Sequence, residues 1–330
     1  MSNLNTETLL LTRGEVESLI QMKDAIEVMK KVFAQHQEGR TKSYPRVHIP
    51  FDQYNGSIGY MEAAVDSLES SVSKIASLYH ENPKKGLPRI IAIITLNRIN
   101  DGLPVAIMDG NFLTMLRTGA VGALAAEYLS KKDSETVGII GAGVQGRGQL
   151  WGITEVRNIK KVKVYDVSIE SSRKFAKEAS KFGVEAETVD TPEGVKNCDI
   201  VAAATPAKLP IVTRKVVSEG THVTSVGVGA GLGKKEVDYM LIKESKTIVD
   251  DLEVAKADSL SEAFKTGVLT DSDIYGTLGE LVCGSKKGRT GDEITIFVSA
   301  GMAIQDVAVA SVVYQNAVKR NVGRKFNFFA

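Results

Sequence analysis

The chain has 330 residues, 43% of them hydrophobic and 25% charged, a make-up that suits a globular protein large enough for two domains. A formal charge of +1 gives no basic surface for nucleic acid or an anionic membrane, and no window of 18 apolar residues offers a membrane span. Two cysteines, Cys198 and Cys283, without a C-x-x-C spacing argue against a disulfide framework and for a reducing cytoplasm, and the first residues lack the layout of a signal peptide.

Residues 12–39 read as two helices. Val16, Leu19 and Ile20 form one apolar stripe, and Ile26, Met29, Val32 and Phe33 form the next. Thr12 with Glu15 is a capping box, and Gly39 is a stop. "RVHIPF", "GSIGYMEAAV", "VSKIASLY" and "RIIAIITLN" read as strands joined by turn dipeptides, with a further short strand in "DGLPVAIMDG". This first region is α+β.

The texture changes at Thr118–Leu129, an Ala- and Leu-rich helix. Strand Thr136–Ile140, a helix from Val144, strand Lys161–Tyr165, helix Ser171–Phe182 and strand Val184–Val189 follow. A short helix at Pro192–Val195 then leads to strands Asp199–Ala204, His222–Val226 and Thr247–Val249. Alternation at this pace predicts an α/β fold with a doubly wound parallel sheet. The closing strand and long helix of "EITIFVSAGMAIQDVAVASVVYQNAVKRN" predict a helix that returns to the first region. The expected division is 1–117, 118–300 and 301–330, with the first and last parts forming one discontinuous α+β domain.

Two glycine-rich stretches compete for a phosphate-binding role. Gly141, Gly143 and Gly146 fit G-x-G-x-x-G between the strand "TVGII" and a helix. The first glycine permits the tight turn, the second lets the backbone approach a pyrophosphate, and the third lets helix pack on strand. Unpaired N–H groups at the helix start complement phosphate charge. Asp166 ends the second strand, 20 residues after Gly146, where a carboxylate accepts ribose hydroxyls and repels a 2′-phosphate. This order of elements predicts NAD rather than NADP. The second stretch, "TSVGVGAGLGKKEVD", has glycines at 227, 229, 231 and 233, but no window in it places the third glycine of the motif. Its position after a sheet strand makes Gly227, Val228 and Gly229 a backbone-lined wall near the nicotinamide end of the cofactor.

The segments "EVESLI", "NPKKGLP", "MDGNFLTMLRTGAVGALAAEYL", "IGAGVQ", "YDV", "ATP", "GTHV", "GKKEVD", "IVDDLEVAK", "EITIF" and "SAGMAIQDVAVASVVYQNA" resemble the ornithine cyclodeaminase/μ-crystallin family, most of all its archaeal alanine dehydrogenases. The resemblance covers nearly the whole chain. It implies a Rossmann domain plus a discontinuous domain that binds substrate and forms a homodimer. Lys74 matches the family's active-site lysine, and Arg46 and Arg117 match arginines that grip a substrate carboxylate, with Ala300 also on the substrate side. Thr118, Val144, Gln145, Asp166, Thr205, Lys234 and Ser299 match cofactor-contacting positions. The implied activity is NAD-dependent oxidation or reduction at the C–N bond of a small amino or imino acid, as in an alanine dehydrogenase. Ornithine cyclodeamination, cyclic ketimine reduction and cofactor binding with little turnover are the alternatives the family contains.

One departure concerns the chemistry directly. The family's G-A-D-x-P-G-K-x-E segment carries a catalytic aspartate, whereas this chain reads "GVGAGLGKKE", with the aspartate position falling on Gly229 or Ala230. His80, Glu81 and Glu62 are the substitute acid/base candidates. His36, His48, His80 and His222 have no metal-binding spacing, and His222 reads as a structural residue.

Overall fold

The structure is a computed structural model that describes residues 6–227 and 235–329. In chain order the elements are β1 (Glu7–Leu11), α1 (Arg13–Leu19), α2 (Met22–Gln37), β2 (Thr41–Ser43), β3 (Val47–Phe51), β4 (Gly56–Val65), β5 (Ser70–Tyr79), β6 (Ile90–Arg98), β7 (Pro104–Asp109) and α3 (Gly110–Leu129). Next come β8 (Thr136–Ile140), α4 (Val144–Val156), β9 (Lys161–Tyr165), α5 (Ile169–Ala179), β10 (Glu185–Thr188), β11 (Ile200–Ala203), β12 (His222–Ser225), α6 (Tyr239–Lys243) and β13 (Lys246–Val249). The chain continues through α7 (Leu252–Ala257), α8 (Ser261–Lys265), β14 (Gly276–Thr277), α9 (Leu278–Val282), β15 (Thr295–Val298), α10 (Ala303–Arg320) and β16 (Arg324–Asn327). Two compact units result: residues 1–117 with 302–330, and residues 118–301.

In the discontinuous unit the sheet order is β16-β1-β7-β6-β5-β4-β2, with β3 also on β4. The pairings are antiparallel except β1 with β7. Alternation along β4 and β5 sends Met61, Ala63, Val72 and Lys74 to the buried face, where α10 packs across β4, β5 and β6. The opposite face carries Val47, Tyr60, Ile75 and Ile93 in one cross-strand row and Ile49, Ile58, Ser77 and Ile91 in the next. Val47, Ile49, Ile75, Ile91 and Ile93 are exposed there.

The second unit is an all-parallel sheet in the order β10-β9-β8-β11-β12-β15-β13-β14, the doubly wound architecture. Strands β11, β12 and β15 are buried along their whole length, as a sheet covered on both faces requires. The last turn of α3 is capped by Arg157, which donates to the carbonyls of Ala126, Glu127 and Ser130 at 2.8–3.3 Å. A guanidinium there satisfies orphan carbonyls and opposes the negative end of the helix dipole.

Several elements differ from the sequence reading. Helix α3 begins at Gly110, eight residues before the predicted start, because Asp109 Oδ1 accepts the Phe112 N–H at 2.8 Å and caps it. Asp109-Gly110 reads as a turn in sequence but acts as a helix start. Helix α5 begins at Ile169, with the Ser168 hydroxyl accepting from Ser171 N. Strands β1 and β16 escape prediction because distant pairing defines them: β1 lies between β7 and β16, in a register that joins Glu7 to Asn327. The Thr12–Glu15 contact forms as expected, with Thr12 N donating to Glu15 Oε2 at 2.7 Å.

Candidate functional site

The discontinuous unit holds a buried ionic cluster. Lys74 lies in the row Met61–Lys74–Ile94–Met108, a single cation among apolar neighbours on the covered face. It is 2% exposed, and its Nζ donates to Asp306 Oδ2 at 2.6 Å. Asp306 stands in the first turn of α10, which is buried on every side from Ala303 to Ser311. The other oxygen, Asp306 Oδ1, faces Arg117 Nε at 3.6 Å, and Arg117 Nη1 donates to Gln305 Oε1 at 2.6 Å. Gln305 and Asp306 therefore address the two cations in turn.

Burial pushes the Lys74 ammonium down to about 8, the Arg117 and Arg46 charges push the same way, and the attraction and hydrogen bond of Asp306 oppose them. Desolvation and the arginines win. A lysine in this state exchanges a proton near neutrality, and the surrounding positive charge suits a carboxylate-bearing ligand.

Asp306 and Gln305 are the site residues that sequence reasoning missed. The available signal was a Gln-Asp pair inside a helix otherwise apolar all round, since buried polar groups need partners. The expected substitutes for the missing loop aspartate lie elsewhere. Glu62 pairs across the sheet with Ser73, on the face opposite Lys74, and is exposed. His80 Nδ1 meets Arg89 Nη2 at 2.5 Å at the surface, and Glu81 is paired with Lys84. Among them, none joins the Lys74 cluster.

The second unit supplies a dinucleotide cradle. Gly141 has φ +102°, and a Cβ there would lie 2.6 Å from the Ala204 carbonyl oxygen. A Cβ at Gly146 would meet the Gly141 carbonyl oxygen at 2.2 Å, so β8 and α4 approach as closely as the motif requires. Gly143, by contrast, has open space where its side chain would stand and is the N-cap of α4 with no side-chain cap. The Gln145 Oε1 atom is buried with no hydrogen-bond partner among the described residues. Val144 is exposed beside it. Asp166 Oδ2 accepts from Ala142 N at 2.8 Å and Oδ1 from Ser168 N at 2.9 Å, which fixes the carboxylate and leaves acceptor capacity for ribose hydroxyls. Arg147 braces the loop by donating to the Ala142 carbonyl and pairing with Glu178. These residues fit a dinucleotide: a close-approach glycine turn, an open helix N-terminus and a ribose acceptor in order.

Of the other cofactor candidates, Thr118 is buried, and its carbonyl accepts from Gln149 Nε2 at 2.7 Å. Thr205 and Gly227 meet at Glu236, a fully buried carboxylate absent from the sequence-based candidates. Glu236 Oε1 accepts from Thr205 N and Oγ1, and Oε2 accepts from Ser225 Oγ at 2.6 Å and Gly227 N at 2.9 Å. Burial pushes this carboxyl up while the donors pull it down. It ties the turn after β11 to the turn after β12. Ser299 donates to Asp250 Oδ2 at 2.8 Å, and Gly301 N reaches the same oxygen at 3.0 Å, with Ala300 buried between them. Val228, Gly229, Ala230 and Lys234 lie outside the described residues. His222 is fully buried against Thr295 and Thr224 and is pushed down to about 3 by burial, so it is a neutral structural residue.

The sequence model of the ornithine cyclodeaminase/mu-crystallin family matches residues 6–321. An alanine dehydrogenase of Archaeoglobus fulgidus is 41% identical over 325 residues, covering 98% of this chain and 99% of its own. Among solved structures, an archaeal alanine dehydrogenase dimer with bound NAD superposes with a TM-score of 0.92 at 41% identity, covering 98% of this chain and all of the other. The Δ1-pyrroline-2-carboxylate reductase of Thermococcus litoralis, solved with NADH and L-proline, has a TM-score of 0.92 at 42% identity over 96% of this chain and 99% of its own.

Proposed function

The chain belongs to the ornithine cyclodeaminase/mu-crystallin family, and from that premise we propose that it is an NAD(H)-dependent oxidoreductase acting at the C–N bond of a small α-amino or α-imino acid. The observation that carries this reading is Lys74, a buried lysine poised near about 8 among two arginines and one carboxylate. Arg117 and Arg46 bind the substrate carboxylate, for which a planar guanidinium fork is suited. Lys74 takes a proton from the substrate nitrogen during oxidation and returns it during reduction. NAD(H) held at the glycine loop would supply the hydride chemistry. Asp166 would hold the ribose and favour NAD over NADP, and Gly143 and Gln145 would hold the diphosphate.

Between the chemistries within the family, the sequence favours imine reduction over deamination. Deamination requires water to attack an imine, for which a carboxylate near the substrate is the natural base. Gly229 and Ala230 bring none to the loop where the family keeps its aspartate. Reduction of a preformed imine needs hydride and one proton, and Lys74 supplies the proton. The exposed apolar rows on the sheet of the discontinuous unit support a homodimer, and two free cysteines suit a cytoplasmic setting.

One preparation assayed four ways tests the reading. The assays are NADH consumption with pyrroline-2-carboxylate or piperideine-2-carboxylate, NADH formation from alanine with ammonia release, proline formation from ornithine without net NADH, and NADH binding alone. Faster imine reduction than alanine oxidation at matched pH is expected, after allowance for the equilibrium bias toward amine. Tight NADH binding with no turnover in any assay would remove the enzyme reading.

A further inference from the structure

We propose that Asp306 is a positioning residue for the reaction at Lys74: its carboxylate holds the lysine nitrogen through Oδ2 and sets the pH at which that nitrogen gains and loses its proton. The proposal rests on the reading of Lys74 as the proton-transfer group. The two residues are 232 positions apart in the chain, yet they meet at 2.6 Å with side chains 2% and 0% exposed. At that depth water cannot stand in for either partner, and an ion pair is screened little.

The neighbours make the role specific. Among the described residues, the charged groups acting on Lys74 are Arg117 from α3, Arg46 from the segment before β3, and Asp306 from α10. His48 on β3 lies opposite Gly59, which pairs with Ala76, on the same sheet face as Lys74. Burial and both arginines favour a neutral lysine, and Asp306 is the carboxylate that favours the ammonium. Asp306 stands in the first turn of α10, at the positive end of that helix's dipole. Asp306 Oδ1 faces Arg117 and the adjacent Gln305 holds the same guanidinium, so one helical turn fixes the proton donor and a carboxylate-binding arm together.

The proton account closes in either direction. In reduction, hydride adds to the imine carbon, Lys74 donates its proton to the imine nitrogen, and Lys74 is left neutral beside Asp306. In oxidation, neutral Lys74 takes that proton back.

Removing the carboxylate charge should therefore lower the lysine's proton affinity, and an opposite charge at this range is worth about 1–3 pH units. The test uses full-length protein labelled with 13Cε-lysine, with the Lys74 signal assigned by its loss in Lys74→Met. In the wild type Lys74 should titrate well below an ordinary lysine. In Asp306→Asn it should titrate at least about one unit lower still, and Asp306→Glu should restore most of the difference. The breakpoints of kcat/KM for imine reduction and amine oxidation should move down by the same amount, because equilibrium ties the two directions. If Asp306→Asn does not fold, Asp306→Ser, which leaves room for a water, serves in its place. A wild-type enzyme that turns over, with the Lys74 titration unmoved in the Asp306 variant, overturns the proposal and leaves the function standing. A shifted titration in a protein that turns over none of the substrates overturns the functional reading, and with it any catalytic role for Asp306.

Discussion

Lys74 is the residue on which the chemistry turns, and its environment makes testable demands. With its ammonium pushed down to about 8, reduction needs the protonated form, so its kcat/KM should fall as pH rises through that value. Oxidation needs the neutral form and should rise through the same range. Binding of a substrate carboxylate beside the arginines adds negative charge, so the breakpoint in kcat should lie above that in kcat/KM. Lys74→Ala should cost about 10²–10⁴ in turnover and leave NADH affinity unchanged, measured by steady-state kinetics and fluorescence titration. At Asp166 the expectation is a preference for NAD on the order of tenfold or more over NADP, about 1.4 kcal/mol, with Asp166→Ser narrowing the gap; equal dissociation constants in the wild type would remove the ribose assignment. Asp166 is reached from local order, as the acid that ends the second strand after the glycine loop, whereas Lys74 and Arg117 are reached only through the family resemblance, since a lone strand lysine reads as a surface charge. Asp306 and Glu236 are reached by neither route. Each is identified by what it touches, and those partners lie in other elements: Asp306 is set by a strand 232 residues away, and Glu236 by two turns that pack on it only in the folded sheet.

The elements show where local sequence decides and where packing does. The parallel strands β8, β9, β11 and β12 and their helices follow from apolar runs and turn residues, because each βα unit is local. The start of α3 depends on Asp109 as a cap, and α7 and α9 likewise begin on local side-chain caps, Asp251 and Thr277. The glycine loop separates two physical roles that its sequence merges. Gly146→Ala places a Cβ 2.2 Å from a carbonyl oxygen and should lower Tm, whereas Gly143→Ala meets nothing in the protein. We expect Gly143→Ala to keep the wild-type Tm in the absence of cofactor and to lose at least about tenfold in NADH affinity, about 1.4 kcal/mol, as calorimetry and a binding titration would record. Equal effects of the two substitutions on Tm would mean that the second glycine serves packing instead of ligand approach.

At the scale of the whole molecule, the chain divides into a unit that runs through its middle and a unit assembled from both ends. The latter carries a sheet face with five exposed β-branched residues in two adjacent rows, more apolar surface than a monomer ordinarily leaves in water. Ile75→Lys with Ile93→Lys should convert the expected dimer to monomer in light scattering after gel filtration. Such a change should spare NADH binding, since the glycine loop and Asp166 belong to the other unit. A dimer that survives both substitutions would place the contact elsewhere.

The split course of the chain also orders events in time. During synthesis, β1 meets β7 early and β16 last, and Lys74 is made long before the α10 carboxylate that will receive it. The middle unit can complete its parallel sheet while the first 117 residues still lack their central helix. Contacts across such a separation raise the contact order of this unit above that of the middle one. Lys74 therefore gains its carboxylate partner, and the sheet face that carries it gains its cover, in one event: the packing of α10 across β4, β5 and β6.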